Sequence, residues 1–329
     1  MPGDAGRSLI DRHGTVAVVT APTTAIREPV VAGSRAGRPR WRSILVSWSF
    51  TLPFVILFVV FMAGPIVVSL VTSFTDLRVT DIRNPFAVDF VGLDNYVNVL
   101  GDDVFRRAAF NTAIYVVVGV TLTMGFGLLI AVGLNQAVVK FKTLFRAGYY
   151  LPYVTSIVAI AVVWRLLLAE ETGLVNALLS VIGIDGPGWL TDTRYSLGSL
   201  IVMAAWRGTG FLMVIFLAGL QSIPSELYEA AEVDGAGRWQ RFRSITLPLL
   251  RPTLLLTAVI ASIGWLQFFE EPFVMTQGGP LNSTLSVAYH TYNQFSFGNY
   301  GPTSAISYLL FLAIALLAFG QFRLFRSKT

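Results

Sequence analysis

Ala108-Ala-Phe-Asn-Thr-Ala-Ile-Tyr-Val-Val-Val-Gly-Val-Thr-Leu-Thr-Met-Gly-Phe-Gly-Leu-Leu-Ile-Ala-Val-Gly-Leu-Asn-Gln-Ala-Val-Val139 runs for 32 residues without a charge, between Arg107 and Lys140. A helix rises 1.5 Å per residue, so about 20 apolar residues cross the roughly 30 Å hydrocarbon core of a bilayer. This stretch is long enough to span. Working outward, residues 43–75 lie uncharged between Arg42 and Asp76, and residues 147–164 and 252–269 are also free of charge. Residues 195–225 hold one basic interruption, Arg207, and the run 303–322 ends at Arg323. The pattern predicts an all-α, polytopic membrane protein with six transmembrane helices near 45–74, 108–136, 150–169, 196–221, 251–275 and 303–323.

Composition agrees. Of 329 residues, 54% are hydrophobic and 13% charged, and the mean hydropathy is +0.65. A soluble domain carries about 25% charged residues, so half of the usual charge is missing. Cysteine is absent and the two histidines are His13 and His290, which excludes a disulfide scaffold and Cys-based zinc and argues against a histidine-rich metal centre. The net charge of +5 does not indicate nucleic acid, because the chain is too apolar to offer a phosphate-binding surface.

The few charges set an expected orientation. Seventeen Lys and Arg fall in the N-terminal arm, the second and fourth loops and the tail, against five in the other three loops (Arg78, Arg83, Arg106, Arg107 and Arg194). Cytoplasmic loops are the basic ones, so both termini are expected in the cytoplasm. Residues 1–43 read as a disordered, basic cytoplasmic arm rather than a cleaved signal peptide, since the apolar run after it far exceeds a signal's apolar segment. Residues 44–329 form the membrane domain.

An ionisable group within a span costs roughly 2.5–3.5 kcal/mol on insertion scales, so each is a candidate for a polar pathway. Trp206 and Arg207 fall in the fourth span; Trp265, Gln267, Phe268 and Glu270 occupy the middle and outer part of the fifth. Rings beside guanidinium, amide and carboxylate suit a sugar, whose C–H faces stack and whose hydroxyls need donors and acceptors. Packing between helices is the competing reading for Arg207 and Gln267, and snorkelling to the interface for Arg165, Glu170 and Glu271. No catalytic constellation and no metal site is expected. Gly-x-x-x-x-Gly-Lys-Ser/Thr is absent, with Lys only at 140, 142 and 328, so any ATPase must be a separate chain. The first, second, fourth and sixth spans contain no acid, which weakens an ion-coupled mechanism.

The cytoplasmic loop 222–250 reads as helix, break, helix. Pro224 and Ser225 sit at a helix start, Glu226 and Glu229 favour its dipole, and Gly235 ends it. Trp239, Phe242 and Ile245 then recur every three residues, with Arg238, Arg241 and Arg243 around them. Such a segment, too polar to insert and too apolar to stay bare, calls for a protein partner. Glu229-Ala230-Ala231, Gly235, Ile245 and Leu247-Pro248 resemble, at all three spacings, the EAA loop of permease subunits of bacterial ABC importers. Asp234-Gly235-Ala236 is similar to the variant of the carbohydrate branch. Phe90-Val-Gly-Leu-Asp-Asn-Tyr96, with Asn111-Thr112 and with Met275-Thr-Gln-Gly-Gly-Pro280 and Thr284, resembles the first permease of maltose-type importers. Glu270-Glu271-Pro272 and Asn299-Tyr-Gly-Pro302 depart from that pattern at the outer mouth, which bears on the substrate rather than the role.

The resemblance implies that this loop carries coupling to the ATPase through Glu229, Ala230, Ala231, Asp234 and Gly235, with Arg238, Ile245, Leu247 and Pro248 completing the set. An Asp234–Arg238 pair is possible across the turn, although the break at Gly235 disfavours it. It further implies a second homologous permease, an ABC ATPase dimer that holds ATP and Mg, an extracytoplasmic solute-binding protein, a sugar substrate, and residence in the bacterial cytoplasmic membrane. This chain would bind no cofactor. The competing readings are an ion-coupled secondary transporter acting alone, an importer of glycerol phosphate-type solutes, and a membrane receptor that moves nothing.

Overall fold

The computed structural model describes residues 41–83, 88–136 and 140–325. Residues 1–40 of the expected arm, and Arg326 and Lys328 of the basic tail, lie outside the described residues. In chain order the helices are α1 (Trp41–Phe58), α2 (Gly64–Thr72), α3 (Asp94–Gly101), α4 (Asp103–Asn135), α5 (Lys142–Val154), α6 (Ile157–Leu167) and α7 (Leu174–Val181). They continue with α8 (Ser196–Gln221), α9 (Ser225–Val233), α10 (Arg238–Arg241), α11 (Leu247–Leu249), α12 (Arg251–Leu266), α13 (Val287–Ser296) and α14 (Tyr300–Phe325). Among the described residues the only extended pairing is an isolated bridge, Thr75 with Phe90.

Four helical stretches are long and apolar enough to cross a membrane: Trp48–Thr72, Asp103–Asn135, Ser196–Gln221 and Tyr300–Leu324. The third and fifth expected spans are not single straight helices. Between α5 and α6 the chain bends by 94°. Pro152 offers no N–H to the preceding turn, and just after it Thr155 is extended (ψ 148°) and Ser156 leaves the helical region (ψ 124°). The α10–α11 segment meets α12 at 67°. α12 stops at Leu266, and Pro272 opens a π-helical turn, Pro272–Thr276, so Gln267, Phe268 and Glu270 follow the helix end rather than sit inside a continuous 251–275 span. With each bent pair taken as one span, the stretches number six.

Within residues 60–325 the core lies between α4, α8 and α12, around buried Tyr115, Leu200, Met203, Met213, Phe216, Trp265 and Phe268. α5 reaches α8 at Gly210, where an added Cβ would lie 1.9 Å from the carbonyl oxygen of Tyr149. Only glycine admits a backbone that close. α4 begins at Asp102, whose carboxylate accepts from the N–H groups of Val104 and Phe105, both at 3.2 Å. A smaller cluster joins Val99, Phe105, Ala108, Leu285, Val287, Tyr289 and Ile306. There α4 fixes the irregular segment before α13. Asn111 donates to the carbonyls of Asn282 (2.8 Å) and Leu285 (2.9 Å), and Tyr115 donates to that of Thr284 (2.9 Å). Thr112 accepts from the N–H of Val287 at 2.9 Å.

Candidate coupling loop and translocation cavity

The candidate coupling loop, 222–250, is built from short helical pieces. α9 opens after Pro224 with Glu226 in its first turn and closes on Gly235, whose φ of +78° puts it in the left-handed region. Ala236 N–H reaches the carbonyl of Ala231 (2.8 Å) and Gly235 N–H that of Glu232 (3.0 Å), the paired bonds of a Schellman ending. After Arg238–Arg241 comes a π-helical turn, Phe242–Thr246, then Leu247–Leu249. Two contacts tie the halves. Tyr228 and Thr246 share a hydroxyl hydrogen bond of 2.9 Å, and Arg241 pairs with Glu232 at 2.7 Å. Asp234 and Arg238 form no ion pair, because the left-handed Gly235 turns the chain between them. Glu229, Ala230, Asp234, Gly235, Arg238, Leu247 and Pro248 are exposed, while Ala231 and Ile245 are half-buried. Leu227, Val233 (89% exposed) and Trp239 (72%) are uncovered apolar side chains on the same loop.

Five of the six residues expected to touch substrate meet at one cavity. Arg207, Trp265, Gln267, Phe268 and Glu270 line a space of about 280 Å³, together with Thr123, Tyr153, Phe211 and Glu271. The guanidinium carbon of Arg207 lies 5.5 Å from the Tyr153 ring centre, and Tyr153 stacks on Phe211 at 4.5 Å. Arg207 Nε is buried with no hydrogen-bond partner. Trp265 stacks on Phe268 (5.1 Å, 17°), and Phe268 leans on Tyr115 (4.3 Å). The cavity thus offers a cation, two carboxyl groups, an amide and flat ring faces, a set able to hold a polyhydroxylated ring.

Trp206 is the exception. It lies on another face of α8, packs on Trp164 at 5.6 Å, and lines a separate apolar groove with Phe126, Tyr149 and Pro152. Adjacent residues on a helix diverge by about 100°, and depth alone could not separate them. Sequence reasoning passed over Tyr153 and Phe211, which carry no charge in apolar runs. Glu271 is 4% exposed and joins the cavity lining. Arg165 and Glu170 line a second concavity with Thr191, Thr276 and Gln277. Buried His290 stands 3.8 Å from Asp102. Burial holds its imidazole below the ordinary pKa, and the Asp102 carboxylate opposes that shift.

The profile of the family described as binding-protein-dependent transport system inner membrane component matches residues 95–329. The chain belongs to this family. Among relatives of this inner membrane component, the lactose transport system permease protein LacF of Rhizobium radiobacter is 37% identical over 85% of this chain and 94% of its own. The arabinooligosaccharides transport system permease protein AraP of Bacillus subtilis (strain 168) is 33% identical over 87% and 91%. The crystal structure of a bacterial alginate ABC transporter in complex with an alginate pentasaccharide-bound periplasmic protein contains a chain of the same fold. It has a TM-score of 0.76 and 25% identity, covering 88% of this chain and 98% of that one.

Proposed function

We propose that this chain is a permease subunit of an ATP-driven sugar importer in the bacterial cytoplasmic membrane. The observation that carries the reading is the cavity of Arg207, Trp265, Gln267, Phe268 and Glu270, set between apolar helices in a chain akin to permeases of lactose and arabinooligosaccharide transport. The chain crosses six times with both termini in the cytoplasm, in keeping with its basic loops. It pairs with a second, homologous permease. Glu229, Ala230, Ala231, Asp234 and Gly235 dock on an ATPase dimer that holds ATP and Mg, with Arg238, Ile245, Leu247 and Pro248 shaping the segment behind them. The outer loops at 75–107, 170–195 and 271–302 meet a sugar-loaded binding protein, as a periplasmic protein meets the alginate transporter.

Closure of the ATPases would move α9 and swing the spans as rigid bodies about a midplane site. Arg207 and the carboxyl groups opposite it would hydrogen-bond sugar hydroxyls, while Trp265 and Phe268 offer ring faces. Trp206 serves packing outside this path.

Uptake of lactose by vesicles carrying the full assembly tests the reading. The expected result is uptake that needs internal ATP and survives dissipation of ion gradients. Uptake that persists without ATP and collapses with the gradient would make the chain an ion-coupled carrier. Preference for glycerol phosphates over lactose would move the substrate class without changing the role.

A further inference from the structure

Gly119 sits in the middle of α4, where glycine weakens a helix relative to alanine. Its neighbours in the same helix, Gly125 and Gly133, face open space. Gly119 does not. A Cβ there would lie 2.5 Å from Cδ2 and Cε2 of Trp265 and 2.6 Å from Cε3. Carbon atoms in contact need about 3.5–4.0 Å, so the indole lies flat in a space that exists only because residue 119 has no side chain.

The indole has packed neighbours of its own. One side is closed by Phe268, stacked at 5.1 Å, which is backed by Tyr115 at 4.3 Å. Tyr115 is fully buried and anchored by its hydroxyl to the carbonyl of Thr284. The open side is the cavity that Trp265 itself lines. A side chain at 119 must displace the indole, and the cavity is the empty space beside it.

We propose that Gly119 is a positioning residue that sets the width of the cavity, and hence the bulk of solute admitted, by fixing how deeply Trp265 projects into it. This rests on the cavity being the sugar path, but the width can be measured without any sugar. The chain has no cysteine. Gly264 lines the cavity, and a Cβ there meets open space, so Gly264→Cys places a single thiol beside Trp265. In the full importer assembly, labelling of that thiol by biotin-maleimide is followed by the mass of this chain.

Adding Gly119→Ala should slow labelling about tenfold or more, as an extra methyl in a filled pocket does. Adding Trp265→Leu to that pair should restore the rate, a rescue that general misfolding would not give. Gly125→Ala should leave it unchanged. If Gly119→Ala does not reach the membrane, Trp265→Leu alone must accelerate labelling. Unchanged rates in Gly119→Ala, or in Trp265→Leu, overturn the proposal. A second measurement separates its failure from that of the path. Lactose uptake that Arg207→Ala lowers while labelling ignores Gly119→Ala rejects the width role alone. Labelling slowed by Gly119→Ala, with lactose uptake indifferent to both substitutions, rejects the cavity as the path and the specificity role with it.

Discussion

Glu229 and Arg207 are both charges in a chain that carries few, yet they are supported in opposite ways. Around Glu229 the hydrogen bonds close locally, from the Ala231–Ala236 and Glu232–Gly235 ending to the Tyr228–Thr246 strut and the Arg241–Glu232 pair. The side chains themselves face outward. Around Arg207, Thr123 comes from α4, Tyr153 from α5, Phe211 from α8, Trp265 from α12 and Glu270 and Glu271 from beyond it. A segment held by its own bonds can shift as a unit and transmit force. A cavity held by four helices keeps its shape until those helices move. This division suits a transporter in which one region receives motion and the other converts it.

The largest effect is expected where the local scaffold is broken. Gly235→Leu forces a branched side chain into left-handed backbone, a cost of roughly 1–2 kcal/mol, and spoils the turn that aims α9. Glu229→Lys reverses a charge on the exposed face without touching the fold. Both should reduce ATP-driven uptake to background while the protein remains in the membrane fraction. Normal uptake by either variant would remove the loop from the coupling path.

The cavity is tested by two adjacent residues of α8. Arg207→Ala should lower uptake about tenfold or more, since a charge-assisted hydrogen bond contributes about 1.5–3 kcal/mol and each 1.4 kcal/mol is about tenfold. Trp206→Ala, on another face of the helix, should do much less. Initial rates across a range of lactose concentrations decide the matter, and a larger loss for Trp206→Ala would reverse the assignment.

These two regions also differ in how far the sequence reveals them. The loop is legible because its spacing is its structure: Pro224, Glu226 and Gly235 mark helix ends whatever surrounds them. Ser196–Gln221 is legible for a similar reason, since length and apolarity suffice. The break at Thr155 and Ser156 could be suspected from Pro152, but its 94° angle depends on what α5 and α6 pack against. Tyr153 and Phe211 escape notice because nothing local distinguishes a ring facing Arg207 from one facing lipid. Trp206 misleads for the same reason. Gly119 acquires meaning only from Trp265, far away in the chain.

The outer cluster resembles the cavity, being held across the sequence by α4. Asn111→Ala would leave the carbonyls of Asn282 and Leu285 without their donor, at a cost of about 1–3 kcal/mol. The thermal midpoint in detergent should fall accordingly. A fall as small as that of an exposed alanine substitution would show that the segment before α13 stands by itself, as the coupling loop does.

The finest test of long-range support is the pH response of His290. Two influences oppose each other there: burial disfavours the imidazolium, whereas Asp102 at 3.8 Å favours it. Asp102 has 41% of its side chain exposed, so solvent screens its attraction, and desolvation wins. The folded-state pKa is therefore lowered from 6.5. The unfolded chain binds the proton first as pH falls, so the contribution of His290 to stability is complete above 6.5 and is lost progressively below it. Thermal midpoints measured from pH 7.5 down to pH 5 should decline for the natural sequence and decline less for His290→Asn. Had the Asp102 pair dominated, the imidazolium would be favoured in the folded state and acidification would stabilise. A midpoint that rises toward pH 5 in the natural sequence, but not in His290→Asn, would place the pair above burial. It would make the Asp102–His290 ion pair, rather than burial, the tie that holds α13 to the start of α4.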